Sequence, residues 1–246
     1  MSVRGTISTW GRLLGLAALL AGCAVAPPRY YSLAAPAAGL PASTAGTAPA
    51  AQEDQAAQGD QAAQGARGVQ PASASPAPRA AGTGLRLSVA RIPAEAERPQ
   101  LVVRDPARGP AVQVLNDSLW AAPLGDQIRD ALAAEVGRRL GAADLQRLPD
   151  AGSRPARRIE VRIDRFDMVW DRFVALEADW TDRAPGADRI RLCRAAVRLP
   201  AGAGVASLVE AQRGALDRLA ALIAAAASDS TADLQGKPTV SEFGCT

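Results

Sequence analysis

Along this chain large apolar residues recur with two periods, and each change of period marks a new element. Leu85, Leu87 and Val89 alternate with Arg86 and Ser88, the period of two that a half-buried strand needs. Residues 100–104 and 111–115 read as two further strands, separated by the turn chemistry of Asp105-Pro106 and Gly109-Pro110. Leu124, Ile128, Leu132, Val136 and Leu140 then fall at steps of four, with Arg129, Asp130, Glu135, Arg138 and Arg139 elsewhere on the wheel. That spacing predicts an amphipathic helix, with Pro123 suited to its first turn and Gly141 to its C-terminal end. Ile159, Val161 and Ile163 restore the strand period, and Phe166, Met168 and Trp170 continue it on the opposite parity. A strand changes parity only by adding a residue, so a bulge is expected near Asp164-Arg165. Val174, Leu176, Ala178 and Trp180 alternate again; Pro185-Gly186 marks a connection, and residues 190–192 and 197–199 read as short strands. A last helix carries Leu208, Val209, Leu216, Leu219 and Ile223 on one side and Glu210, Arg213, Asp217 and Arg218 on the other. The order of strands, helix, strands, helix predicts an α+β fold. It is a two-layer sandwich, a mixed β-sheet with two amphipathic helices packed on one face.

Before Leu85 the pattern is of another kind. Arg4 and Arg12 precede or open a short apolar run, residues 13–20, and Leu20-Ala21-Gly22-Cys23 follows at once. The run is too short to cross about 30 Å of hydrocarbon, which takes roughly 20 apolar residues. It fits a secretory signal segment instead. The Leu-Ala-Gly-Cys sequence resembles the lipobox of bacterial lipoproteins. That resemblance implies a signal peptide over residues 1–22, cleavage before Cys23, lipid on its thiol and a lipidated leader over 23–29. Tyr30-Tyr31-Ser32-Leu33 reads as a brief strand. Residues 34–84 are rich in Ala, Gln, Gly and Pro and contain a tandem hexapeptide, Asp-Gln-Ala-Ala-Gln-Gly, at 54–59 and 60–65. With almost no large apolar residue, such a segment cannot offset its ordering entropy. It is expected to be a disordered insert in a single domain made of residues 30–33 plus 85–246.

Composition narrows the chemistry. The chain has no histidine, which removes Ser-His-Asp and Cys-His activation of a nucleophile and most zinc sites. Neither glycine-rich phosphate loop, G-x-x-x-x-G-K-[ST] or G-x-G-x-x-G, is present. Glu177 and Asp179 share a face of one strand, and a solvated polar face accounts for them better than a pair of catalytic carboxylates. No catalytic residue, cofactor-binding residue or metal ligand is therefore expected. Lys237 is the one lysine among 28 basic residues, and the net charge is +3. The arginines are scattered among acids, so no nucleic-acid partner is expected. Besides Cys23, only Cys193 and Cys245 remain. An exported chain meets an oxidising compartment, and the tail 239–246 has only Val240 and Phe243 as sizeable apolar residues. A disulfide between Cys193 and Cys245 that pins the tail across the sheet is expected; two free thiols, with Cys193 in the core, is the alternative.

The order of these segments resembles a known family. Tyr30-Tyr31-Ser32-Leu33 soon after the lipid cysteine, Leu85-Arg86-Leu87-Ser88-Val89, Arg98-Pro99-Gln100-Leu101-Val102-Val103-Arg104 and Trp120-Ala121-Ala122-Pro123-Leu124 are similar to the ABC-type transport auxiliary lipoproteins. The paraquat-inducible C lipoproteins belong to that group. Phe166-Asp167, Ala178-Asp179-Trp180 and the last helix continue the match. The resemblance implies a non-enzymatic periplasmic subunit, held on a membrane by its lipid. It would work beside an ABC permease and ATPase and an MCE-domain protein in intermembrane lipid transport, in support of membrane integrity. The competing reading is a structural lipoprotein that binds the cell wall or an outer-membrane assembly complex. Ala24 follows the lipidated cysteine where an Asp would signal retention in the inner membrane, so the periplasmic face of the outer membrane is expected. Arg98 and Arg104 flank a strand, where they suit lipid phosphate, partner carboxylates or a structural ion pair. Trp120 suits either a partner contact or packing over the sheet.

Overall fold

A computed structural model describes residues 27–34, 83–149, 152, 154–230 and 239–246. Cys23, the expected signal peptide and nearly all of the expected insert lie outside the described residues. Eight strands form one mixed sheet and two helices cover one of its faces. In chain order the elements are β1 (Arg29–Tyr31), β2 (Gly84–Arg91), β3 (Gln100–Arg104), β4 (Val112–Trp120), α1 (Leu124–Leu140), β5 (Ala156–Val169), β6 (Phe173–Arg183), β7 (Arg191–Pro200), α2 (Gly204–Ala227) and β8 (Val240–Cys245). The α+β sandwich expected from the pattern is the fold observed.

The long strand β5 organises the sheet. One of its edges pairs antiparallel with β6, which continues through β7 to β8. Its other edge is shared in series: β2 runs parallel along the first half, and β3 meets it at Val169. Beyond β3 lie β4 and then β1, which runs parallel to β4. The register of β5 on β6 shifts between Ile163 and Arg165, where the parity change in the sequence requires it. The extra residue, Asp164, keeps Phe166 and Met168 on the same buried face as Ile159, Val161 and Ile163.

Both helices bury the stripes their spacing implies. Leu124, Ile128, Leu132 and Val136 of α1 are buried, and the helix stops where Gly141 takes a left-handed φ of 61°. Its following amides reach back to Arg138 and Gly137, the cap that glycine permits without steric cost. Arg129 ties α1 to the sheet: its Nη2 donates to both Asp144 oxygens at 2.8 and 2.6 Å and its Nε to the Leu87 carbonyl at 3.3 Å. Helix α2 has no basic residue in its last turn. Arg157 and Arg191 supply that charge from the sheet by donating to the carbonyls of Ala227 and Ala226, which complements the negative end of the helix dipole.

Several strand boundaries differ from the pattern reading, beginning with β1, which is Arg29–Tyr31 and leaves out Ser32 and Leu33. The strand read at 111–115 runs on to Trp120, through Asn116, Asp117 and Ser118. Those polar residues obscure its alternation because β4 is only partly covered. The two short strands read at 190–192 and 197–199 are one strand, β7, whose middle holds small residues, Ala195 and Ala196, with little apolar signal. The tail is itself a strand, β8, paired in register with β7.

Candidate functional site

The bulge in β5 has a consequence at the other end of the sheet. It aims Phe166 at Trp120, the last residue of β4, and the rings meet edge to face with centroids 6.3 Å apart. Trp120 is 5% exposed. It therefore packs over the sheet as one of its two expected roles required, and its remaining exposed rim forms part of a cleft of about 590 Å³. The other walls are the end of β2 with Ile92, the 97–99 segment and the first turn of α1 from Pro123 to Asp126.

Backbone hydrogen bonds fix this geometry. Trp120 N–H donates to the Pro99 carbonyl at 2.7 Å and Ala121 N–H to the Tyr31 carbonyl at 2.8 Å. Buried Gln127 joins the leader to the helix: its Nε2 donates to the Ala122 carbonyl at 2.7 Å, and its Oε1 accepts from Leu33 N–H at 2.9 Å. Leu33 is buried beside it. One wall of the cleft is a sheet edge that no strand among the described residues covers. Leu85 N–H donates to Ala143 and the Leu87 carbonyl accepts from Arg129 on the side of β2 away from β5. By the alternation of a strand, the peptide groups of Val89 point the same way, into the cleft.

The expected contact residues separate here. Arg98 is exposed on the cleft rim and makes no ion pair among the described residues. Arg91, Glu97 and Asp126 line the same cleft, so the charges there balance. Arg104 lies beside Trp120, at a void of about 20 Å³, and makes the ion pair that was one of its expected roles. Its Nε donates to Asp167 Oδ1 at 2.8 Å, while Arg165 Nε donates to Asp167 Oδ2 at 2.6 Å. The hydrogen bond to Asp167, with a second to Glu177, pushes the Arg165 guanidinium to a still higher pKa. Cys193 and Cys245 are register partners on β7 and β8, their Cα atoms 4.1 Å apart, and are joined as a disulfide. Phe243 of the same tail stacks on Trp180 at 6.2 Å. Glu177 and Asp179, which shared a face in the pattern reading, each face an arginine: Arg165 at 3.0 Å and Arg194 at 2.6 Å. Gln127 was not singled out by the sequence, and Asp167 entered only within the Phe166-Asp167 segment of the family resemblance, with no role given to it. The one signal for Gln127 is a polar residue set against the apolar stripe of α1, next to Ile128.

Among the described residues no group of three or more Cys, Asp or Glu side chains is placed to hold a metal ion. None of the described helices is long and apolar enough to cross a membrane.

The sequence model of the ABC-type transport auxiliary lipoprotein component matches residues 68–224, well over half of the chain. The chain belongs to the ABC-type transport auxiliary lipoprotein family. Its match starts inside the expected insert and ends within α2, so it takes in the cleft, the long strand β5 and both helices. Among solved structures, an uncharacterized protein is 20% identical, with a TM-score of 0.50 over 58% of this chain and 90% of that one; this likeness is one of fold. A protein from Xanthomonas campestris is 18% identical, with a TM-score of 0.46 over 62% of this chain and 88% of its own. No curated protein sequence matches.

Proposed function

We propose that this auxiliary lipoprotein is a non-enzymatic periplasmic subunit that docks an ABC permease and MCE-domain assembly through the cleft beside Trp120. The reading rests on one observation above others. The leader strand β1 is locked to the cleft by the Gln127–Leu33 and Ala121–Tyr31 hydrogen bonds, so whatever holds the leader also positions the cleft. With lipid on Cys23, the tether is the leader of about seven residues, roughly 25 Å at full extension. Residues 34–83 are then an insert within the domain and not its tether, since Gly84 already belongs to β2. The open edge at Val89 suits an extended partner segment added as a further strand, with Trp120 and Ile92 as its apolar seat. The balanced charges of the rim favour a protein partner over a bare anionic surface. The proposed address is the periplasmic face of the outer membrane, on the strength of Ala24. The complex would then tie the two membranes along the path of a transported lipid.

Gly125 provides the test. It lies on the cleft wall, and a Cβ built there meets nothing within 4 Å. Gly125→Trp fills the cleft without disturbing the core. The expected outcome is an unchanged melting temperature and a loss of about tenfold or more in co-purified permease and MCE-domain protein. Undiminished co-purification would remove the cleft from the interface.

A further inference from the structure

The sheet face turned away from the helices carries its charged side chains in rows, because register partners on adjacent strands project side by side. In most rows the signs alternate. Arg162, Asp179 and Arg194 are register partners across β5, β6 and β7. Arg194 Nε donates to Asp179 Oδ1 at 2.6 Å, and the bulge residue Asp164 lies 3.8 Å from Arg162 and 3.9 Å from Arg194. Farther along, Arg165 opposes Glu177 and binds both it and Asp167.

The row at the start of β5 departs from this rule. Arg86 of β2 opposes Arg158 of β5, and Arg158 opposes Arg183 of β6. Three arginines thus stand abreast on three neighbouring strands, where like charges directly opposite one another are destabilising. Arg154 joins them at the rim of a cleft of about 730 Å³, whose one acidic lining residue among the described residues, Asp188, is exposed. Arg154, Arg158 and Arg183 make no ion pair among the described residues; Arg86 has a partner of its own. The adjacent row is Ser88, Glu160 and Thr181, which brings one acid for the whole group. The other two arginines of β5 on this face are both matched with carboxylates, whereas Arg158 and its register partner Arg183 have none among the described residues.

We propose that this row is a binding site for a phosphate monoester or diester. Adjacent strands lie about 4.8 Å apart, so Arg158 of β5 and Arg183 of β6 can converge on one tetrahedral anion, and the guanidinium fork matches its oxygens two at a time. Apolar surface borders the row on one side. Ile190 and Leu192 are 48% and 51% exposed, and Leu192 opposes Thr181 on this same face. The anion therefore belongs either to a lipid headgroup, whose apolar body would lie on that border, or to a soluble phosphorylated molecule. The site is separate from the Trp120 cleft and does not depend on the transporter partnership.

Calorimetric titration of the purified full chain in neutral detergent tests the site and separates the two sources. The titrants are inorganic phosphate, glycerol 3-phosphate and short-chain phosphatidylglycerol below its micelle concentration. Saturable binding is expected for at least one of them. Tighter binding of the phosphatidylglycerol assigns the site to a headgroup; equal affinity for all three assigns it to a soluble phosphate. Arg158→Gln with Arg183→Gln should weaken that binding by about tenfold or more per arginine, with an unchanged or slightly higher melting temperature in the absence of ligand. Arg162→Gln with Arg194→Gln removes the same charge from the same face and should leave binding intact. Arg158→Lys with Arg183→Lys keeps the charge without the fork and should fall between. The proposal is overturned by absence of binding to all three titrants or by equal weakening in the two glutamine pairs. It is overturned equally if Arg158→Gln with Arg183→Gln lowers the melting temperature by several degrees.

Discussion

Two stretches of one sheet face, built from the same strands and largely the same residue type, treat charge in opposite ways. From Arg162 onward along β5, arginines alternate with Asp164, Asp167, Glu177 and Asp179 in a ladder of ion pairs. At the start of β5, Arg86, Arg158 and Arg183 stand side by side with no acid between them. The ladder satisfies its own charges, and Asp167 is buried between two guanidinium groups. In the row, Arg158 and Arg183 have no carboxylate partner among the described residues, and their charge is the part proposed to meet an anion. A surface rich in arginine is therefore not one property of this protein but two, and register decides which applies at each position.

The largest expected effect separates stability from anion binding. The Cys193–Cys245 disulfide closes a separation of 52 residues and holds β8, and with it Glu242, against the ladder. Cys193→Ala with Cys245→Ala should cost about 4 kcal/mol in the chain-entropy account, read from denaturant unfolding. Phosphate binding at the row, which lies on β2, β5 and β6, should persist in conditions where the variant stays folded. Loss of binding in the folded variant would join the two stretches that the structure keeps apart.

A smaller effect tests the ladder by pH. The hydrogen bond from Arg194 holds the Asp179 carboxyl below the ordinary carboxylate range. A depressed folded-state pKa contributes stability above the unfolded value near 3.8, and that stability is lost as pH falls through the folded value. Asp179→Asn should thus lose less than about 1 kcal/mol at neutral pH, since the pair is largely exposed. It should also flatten the acid limb of the stability curve below about pH 4. Asp182 runs the other way: burial pushes its carboxyl up, so its contribution is full below the unfolded value and fades as pH rises through the folded one. An acid limb unaltered by Asp179→Asn would show that the ladder pairs are not formed in solution. The smallest effect is expected in the row itself, where removing Arg158 and Arg183 relieves opposed like charges and raises stability by about 0.5 kcal/mol at most.

How far the sequence announces these features depends on the distance over which each is encoded. The helix stripe from Leu124 to Leu140 and the bulge at Asp164 are written in adjacent residues, and periodicity alone exposes them. The pairing of Cys193 with Cys245 follows from having two cysteines beyond the leader and a tail with little else to anchor it. The middle of β4 is hidden because Asn116, Asp117 and Ser118 interrupt its alternation. Trp120 announces a site but not its orientation, since the contact that buries it comes from Phe166, far along the chain and on the far side of the bulge. The arginine row is invisible for a stronger reason. Arg86, Arg158 and Arg183 come together only through the parallel register of β2 on β5 and the antiparallel register of β6, and no local pattern distinguishes them from Arg162 or Arg194. Gln127 is hidden likewise: its partners, Leu33 and Ala122, are set by where β1 enters the sheet.

The central claim is that the chain meets its transporter through the Trp120 cleft and not through the arginine row. Photocrosslinking in intact cells tests it most directly, with a photoreactive residue placed at Arg98 on the cleft rim or at Ala187 in the arginine cleft. Adducts of the permease or the MCE-domain protein are expected from position 98 and none from position 187. Transporter adducts from position 187 with none from position 98 would contradict it.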